Sequence, residues 1–90
     1  MNRAPVLRLA KRVRLHRDAV RGRLVLLAPE AVIELNAEGA EVLSLCDETR
    51  TEDEVVSEMQ ARHEGGDVER DVRTFLERVL RRGWVEGFTR

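Results

Sequence analysis

The sequence predicts one α+β domain, residues 1–90, in which a three-stranded antiparallel sheet packs against three helices in a winged helix-turn-helix-like arrangement. Two observations predict this class. Apolar residues at positions 1–36 fall in short runs with strand-like spacing, whereas those that follow recur at helical spacing. The chain has only 90 residues, which suits a single domain with a small core, and its short links favour pairing of sequential strands.

The first strands follow a segment of little regular pattern. Residues 1–10 contain Pro5 and scattered apolar residues, and we expect them to form a flexible or docking arm. Lys11 to Arg17 alternates apolar and polar residues, which predicts a half-buried strand. Arg23 to Ala28 contains four consecutive aliphatic residues, a run typical of a central strand that is buried on both faces.

A third strand is predicted over Ala31 to Leu35. It follows Pro29, which lacks a backbone N–H and ends the strand before it. Ile33 and Leu35 share one face, which we expect to be buried. If Arg23 to Ala28 is central, this third strand lies at an edge of the sheet, and its free backbone groups must be covered or used for binding.

The first two helices begin at recognisable caps. Asn36 is a predicted N-cap for a helix over Ala37 to Cys46. The run Thr51-Glu52-Asp53-Glu54 has the form of a capping box and starts a second helix over Glu52 to Arg62.

The third helix has the clearest pattern. Asp67 is its predicted N-cap, and Gly83 marks its end. Residues 84–88 then form a short strand or a hydrophobic flap. The apolar residues at helical spacing are Val68, Val72, Phe75, Leu76, Val79 and Leu80.

Charge is unevenly distributed, although the net charge is only −1. Residues 1–30 hold eight Lys/Arg and two Asp/Glu, whereas residues 31–90 hold eight Lys/Arg and fifteen Asp/Glu. This layout suits an interaction protein with two differently charged surfaces, although charge also follows the solvated faces of ordinary domains. The basic N-terminal part is a candidate surface for a partner.

A winged-helix DNA-binding protein is the alternative function, because three strands and three helices also fit that class. A recognition helix should present a basic face. The third helix instead mixes Arg70, Arg73 and Arg78 with acidic residues. We therefore expect no nucleic-acid partner.

Residues suited to catalysis or metal binding are few, and we predict no catalytic residue, metal or cofactor. His16 and His63 lack metal-ligand spacing, and we expect both to be surface histidines. Cys46 is the only cysteine, and its place on the apolar side of a helix indicates a buried structural thiol. The sequence has no signal-peptide run and no apolar stretch of membrane-spanning length, so we expect a cytoplasmic protein.

Several short motifs occur in order from roughly Pro5 to Val85. They are Val20-Arg21-Gly22, Val25-Leu26-Leu27, Pro29-Glu30, Leu35-Asn36, Leu45-Cys46-Asp47, Arg50-Thr51, Asp71-Val72 and Phe75-Leu76. Together they resemble the PqqD family of pyrroloquinoline quinone biosynthesis. Glu48 is a departure, because the family usually has Gly after the Asp, and we expect the turn there to differ locally.

The resemblance implies a non-catalytic peptide chaperone that recognises a ribosomally made peptide. It implies binding of the precursor peptide PqqA and its presentation to PqqE, a radical S-adenosylmethionine enzyme that joins a Glu and a Tyr side chain of the precursor. In related domains the leader pairs with the third strand in a cleft beside the third helix. The implied peptide-binding positions are Val32, Ile33, Glu34, Leu35 and Asn36 on the strand and Val72, Arg73, Phe75, Leu76 and Val79 on the helix. Of these, Arg73 would contact acidic leader residues.

The sequence leaves two oligomeric states open. The chain is expected to be a monomer or a homodimer that exchanges elements, because a flexible Gly65-Gly66 link separates the last two helices.

Overall fold

The computed structural model describes residues 4–89, which form two three-stranded antiparallel sheets and three helices. This confirms the predicted α+β class and the three helices, but not the prediction of one sheet. The elements, in chain order, are β1 (Val6–Leu9), β2 (Arg14–Asp18), β3 (Arg23–Ala28), β4 (Ala31–Glu34), α1 (Ala37–Leu45), β5 (Asp47–Thr51), α2 (Glu52–Arg62), α3 (Val68–Arg81) and β6 (Val85–Phe88). The likeness to a winged helix-turn-helix stays a prediction.

The first sheet is the predicted meander, with strand order β2-β3-β4. Its central strand is β3, as the aliphatic run indicated. Leu15, Leu26 and Ile33 lie opposite one another across the three strands and face the helical core. Leu26 is fully buried. The sheet is therefore held to the helices through one face.

The second sheet is a correction to the sequence prediction. Its order is β5-β1-β6, with β1 antiparallel to both neighbours. The arm expected over residues 1–10 is thus docked over its described part, because β1 is the central strand; residues 1–3 lie outside the described residues. β5 was not predicted because its sequence, Asp47–Thr51, is polar throughout and lacks apolar alternation. β6 agrees with the short strand expected over residues 84–88.

The helices begin at the predicted caps. Asn36 Oδ1 accepts a hydrogen bond from the Gly39 N–H at 2.7 Å. At the start of α2, Thr51 Oγ1 accepts from the Glu54 N–H, and Glu54 Oε1 accepts from the Thr51 N–H at 2.8 Å, which completes the capping box. The Asp67 side chain accepts from the Arg70 N–H at 3.0 Å. These bonds satisfy backbone donors that the first turn of each helix leaves free.

The core lies where the three helices meet the inner face of the first sheet and one side of the second. The largest fully buried side chains come from both sheets and all three helices: Leu26, Leu43, Val55, Met59, Leu76 and Val85. Within residues 4–89, no helix is long and apolar enough to cross a membrane.

Candidate functional site

β4 has an open side. It pairs with β3 alone, in a register that sets Ala28 opposite Ala31 and Leu27 opposite Val32. Among the described strands no other lies along its second edge. Val32 is 67% exposed, whereas Ile33 packs against the core. The strand therefore offers backbone groups to a partner while its inner face holds it in place.

The end of β4 is connected to α3 through a close contact at Gly39. A Cβ atom on Gly39 would lie 3.0 Å from Asn36 Oδ1 and 3.3 Å from Phe75 Cε1. The absence of a side chain at this position lets the Phe75 ring lie against the first turn of α1. Two of the predicted site residues, Asn36 and Phe75, are thereby brought together.

A groove of about 480 Å³ opens beside this contact, between the start of α1, the end of α2 and the first half of α3. Its lining residues are Asn36, Glu38, Gly39, Val42, Met59, His63, Glu64, Val68, Asp71, Val72 and Phe75. Val42, Met59 and Val68 were not predicted as site residues, because a helical apolar pattern does not distinguish a core side chain from one at a groove. The groove has an apolar floor and an acidic rim, and it reaches the end of β4 through Asn36, which lies just beyond the strand.

Some predicted helix positions lie beneath the surface. Leu76 is 0% exposed and Val79 is 3% exposed, and neither residue is among those that line the groove. Val72 is 5% exposed and forms part of the floor. These residues hold α3 against the core, and Phe75 is the apolar one among the predicted α3 site residues that is only partly buried.

Arg73 is occupied within the chain. Its guanidinium lies 2.8 Å from carboxylate oxygens of Glu52 and of Asp53, and 3.0 Å from Glu69. The hydrogen bonds to Asp53, then Glu52 and Glu69, raise the pKa of Arg73 above its ordinary value. A contact with an acidic leader residue would have to displace one of these carboxylates.

Two titratable groups, His63 at the groove and Cys46 in the core, serve structural roles. His63 Nε2 lies 2.8 Å from Glu41 Oε1, which connects the end of α2 to α1 and lowers the pKa of Glu41. Cys46 is buried, as predicted, and burial together with the charge of Asp47 raises its pKa to about 12. The thiol is therefore protonated at neutral pH and is a poor nucleophile. Among residues 4–89, no group of three or more His, Cys, Asp or Glu is placed to hold a metal ion.

Comparison with protein families matches residues 23–85 to the family described as Coenzyme PQQ synthesis protein D (PqqD). Curated relatives carry the name PqqA binding protein. The relative from Methylococcus capsulatus is 34% identical over 80 residues, which cover 89% of this chain and 86% of the relative. The relative from Stutzerimonas stutzeri is 43% identical over 63 residues, which cover 69% of this chain and 68% of the relative.

Solved structures show the same fold. The PqqD truncation of Methylobacterium extorquens PqqCD, described as a functional and stand-alone recognition element for ribosomally synthesised and modified peptides, has a TM-score of 0.71 and 30% identity. The match covers 90% of this chain and 88% of that one. TbiB1, solved in complex with the TbiA(beta) leader peptide, has a TM-score of 0.73 and 25% identity, covering 92% of this chain and 99% of that one. The heterocyclase TruD, at 12% identity and a TM-score of 0.65, shares the fold over 11% of its length.

Proposed function

The chain belongs to the PqqD family, and from that premise we propose that it is a non-catalytic peptide chaperone of pyrroloquinoline quinone biosynthesis. It binds the precursor peptide PqqA by strand addition and presents it to the radical S-adenosylmethionine enzyme PqqE. The name of the curated relatives, PqqA binding protein, supports PqqA as the peptide that this chain binds. The complex of TbiB1 with the TbiA(beta) leader peptide supports binding of a leader peptide by this fold.

The observation that carries the proposal is the open edge of β4 beside an apolar groove. A peptide that pairs with an edge strand gains main-chain hydrogen bonds, and its alternate side chains supply specificity. Here the peptide backbone pairs with residues 32–36. Its inward side chains then lie beside Phe75 and over Val72, where the groove is open.

The proposal gives the predicted site residues four roles. Val32, Ile33, Glu34, Leu35 and Asn36 give the backbone edge, Phe75 gives the apolar wall, and Val72 gives part of the floor. Leu76 and Val79 are buried below the groove, where they hold α3 against the core. Arg73 contributes mainly by joining α3 to the start of α2 through its ion pairs.

Amide-shift mapping during titration with a synthetic precursor peptide tests the site. We expect the largest changes at residues 32–36 and around Phe75, with little change in the second sheet. Changes confined to β1, β5 and β6 would contradict the site assignment even if the peptide binds.

Replacing Val32 by proline tests strand addition itself. Ala28 and Ala31 flank a two-residue turn and should exchange the ladder hydrogen bonds, so the next residue, Val32, directs its N–H to the open edge. Val32→Pro removes that donor without removing a bond to β3. We expect about tenfold weaker peptide binding, measured by calorimetry, because a hydrogen bond is lost and the added strand is displaced.

Val32→Thr is the matched control, since it keeps the backbone N–H and suits a strand. Its affinity should stay within about twofold of the parent protein. Thermal melting confirms that both variants are folded. Equal affinity for Val32→Pro and Val32→Thr in folded protein would rule out pairing at this edge.

A further inference from the structure

Five cationic side chains on or beside β2 have no ion-pair partner within residues 4–89. They are Lys11, Arg12, Arg14, Arg17 and Arg23. Seven arginines elsewhere in the described chain each lie within 4.0 Å of at least one carboxylate oxygen: Arg8, Arg21, Arg50, Arg62, Arg70, Arg73 and Arg81. Arg78 and Arg82 are the other two described arginines without an ion pair. Most of the cations without an ion pair in the described chain therefore lie on or beside β2.

One of these cations, Arg14, lies beside two apolar side chains, Leu27 and Val32, on the outer face of that sheet. Arg14 lies opposite Leu27, and Leu27 lies opposite Val32, so the three side chains form a line across β2, β3 and β4. Side chains of neighbouring residues on a strand point to opposite faces. Because Leu15, Leu26 and Ile33 face the helices, this row faces away from them.

Three of the five cations also border a shallow depression. A cavity of about 380 Å³ is lined by Lys11, Arg12, Val13 and Arg14 on one side and by Leu27, Ala28 and Pro29 on the other. Arg12 and Arg14 thus lie next to apolar surface that no helix covers. A surface with an apolar centre and charged surroundings is the usual composition of a protein interface.

We propose that this basic face, formed by Lys11, Arg12 and Arg14 beside Leu27 and Val32, docks an acidic protein surface with an apolar centre. On the proposed function, that surface belongs to the enzyme that receives the peptide. The unpaired cations supply the charge complementarity, and the apolar row supplies the buried contact.

The position of the basic face suits transfer of a peptide. β2 and β4 are separated by β3 alone, which places them about 10 Å apart. A partner on the outer face is then next to a peptide on the edge of β4 without occupying that edge. The peptide and its enzyme contact two sides of the same small sheet.

A protein partner fits better than nucleic acid. Phosphate contacts need cations but no apolar row, and the chain as a whole carries a net charge of −1. An acidic surface of a folded protein, unlike a nucleic acid, would contact both the apolar centre and the cations around it.

Charge reversal at Arg14 tests the inference, with the purified radical S-adenosylmethionine enzyme and the precursor peptide as separate probes. We expect Arg14→Glu to weaken enzyme binding about tenfold at low salt and to reduce the salt dependence of that binding. Peptide affinity should stay within about twofold of the parent protein.

Arg78→Glu is the matched control, since Arg78 is exposed on α3 and also has no ion pair within the described chain. It should leave enzyme binding unchanged.

Other outcomes overturn the inference. Enzyme affinity that is equal for Arg14→Glu and the parent protein excludes the basic face as the docking surface. Loss of peptide binding with unchanged enzyme binding assigns the cations to the peptide site instead. Duplex DNA binding at low salt that Arg14→Glu abolishes, with enzyme binding unchanged, assigns them to nucleic acid. If the parent protein binds the enzyme through Arg14 but does not bind the peptide, the proposed peptide function fails while the docking surface stands.

Discussion

Glu48 has an unusual backbone conformation for its side chain. Its φ of 73° lies in the left-handed region, and it is the only non-glycine residue with positive φ among residues 4–89. An L-residue in this region costs roughly 1–2 kcal/mol because Cβ approaches a carbonyl oxygen. The family resemblance flagged this position, where Gly usually follows Asp47, and the conformation explains why Gly suits it. In this chain Glu48 also lies 3.3 Å from Arg8.

Glu48→Gly is therefore expected to stabilise the protein. Removing the Cβ strain should gain about 1 kcal/mol, whereas the exposed ion pair with Arg8 is worth less. Thermal melting should show a rise of about 4 °C or more for a domain of this size. Glu38→Gly is the control, since the same substitution within α1 should lower the melting temperature. A melting temperature that falls for Glu48→Gly would show that its side-chain contacts outweigh the strain.

The sequence predicts which way some site residues face, but not the contacts or burial of others. Strand alternation predicted the inward Ile33 and the outward Val32 correctly, because a period of two needs only local sequence. The same approach could not show that Arg73 pairs with Glu52 and Asp53, since those partners lie 20 or more positions away. The depth of burial at Leu76 likewise depends on packing between elements.

At the scale of elements, α1 and α3 meet through Gly39 and Phe75. From helix propensity alone, a glycine at position 39 is expected only to weaken α1, by about 1 kcal/mol relative to Ala. The structure gives its reason, because a side chain there would press on Asn36 and on the Phe75 ring. The glycine sets the distance between the end of β4 and the wall of the groove.

Gly39→Ala should therefore weaken peptide binding despite the better helix propensity of alanine. Overpacking of a tight contact typically costs about 1–3 kcal/mol, which exceeds the gain in propensity. We expect a lower melting temperature and a several-fold loss of peptide affinity as Phe75 moves. Ser44→Ala, on an exposed position of the same helix, should leave both unchanged. A stabilised Gly39→Ala variant with full affinity would show that the space between Asn36 and Phe75 can hold a methyl group.

The elements that the sequence predicted are those with local signals. α2 and α3 have caps and helical periodicity, and both lie where expected. β1 and β5 were missed because they are short and are defined by pairing with each other, between residues such as Val6 and Thr51. A polar five-residue segment becomes a strand only when a distant strand supplies its hydrogen bonds.

For the whole molecule, the link between α2 and α3 governs whether elements can be exchanged between copies. Gly65 and Gly66 have φ values of 78° and 66°, which other residues seldom adopt. This tight link, together with the ion pairs of Arg73, favours packing of α3 on α2 of the same chain. We expect a monomer of 10.3 kDa by light scattering over a wide concentration range.

Replacing Gly65 and Gly66 by alanine should favour the dimer in which α3 is exchanged between chains. Strain of about 1 kcal/mol or more at each position favours an extended link, and an extended link lets α3 pack on a second chain. Light scattering of the double variant should then show dimers whose fraction rises with concentration. Gly22→Ala, in the β2–β3 turn, should destabilise the chain without dimers. Dimers in the parent protein at low concentration would contradict the expected monomer.

The second sheet has a consequence for how this fold can be combined with others. β6 pairs with β1 along its full length, and Val6 lies directly opposite Phe88. Paired residues of neighbouring strands are about 5 Å apart, so the two ends of the described fold are adjacent. A domain of this kind can be inserted into a loop of another protein, or have its ends joined and reopened elsewhere, without stretching the chain. TruD, in which the same fold takes up 11% of the chain, shows one such larger protein.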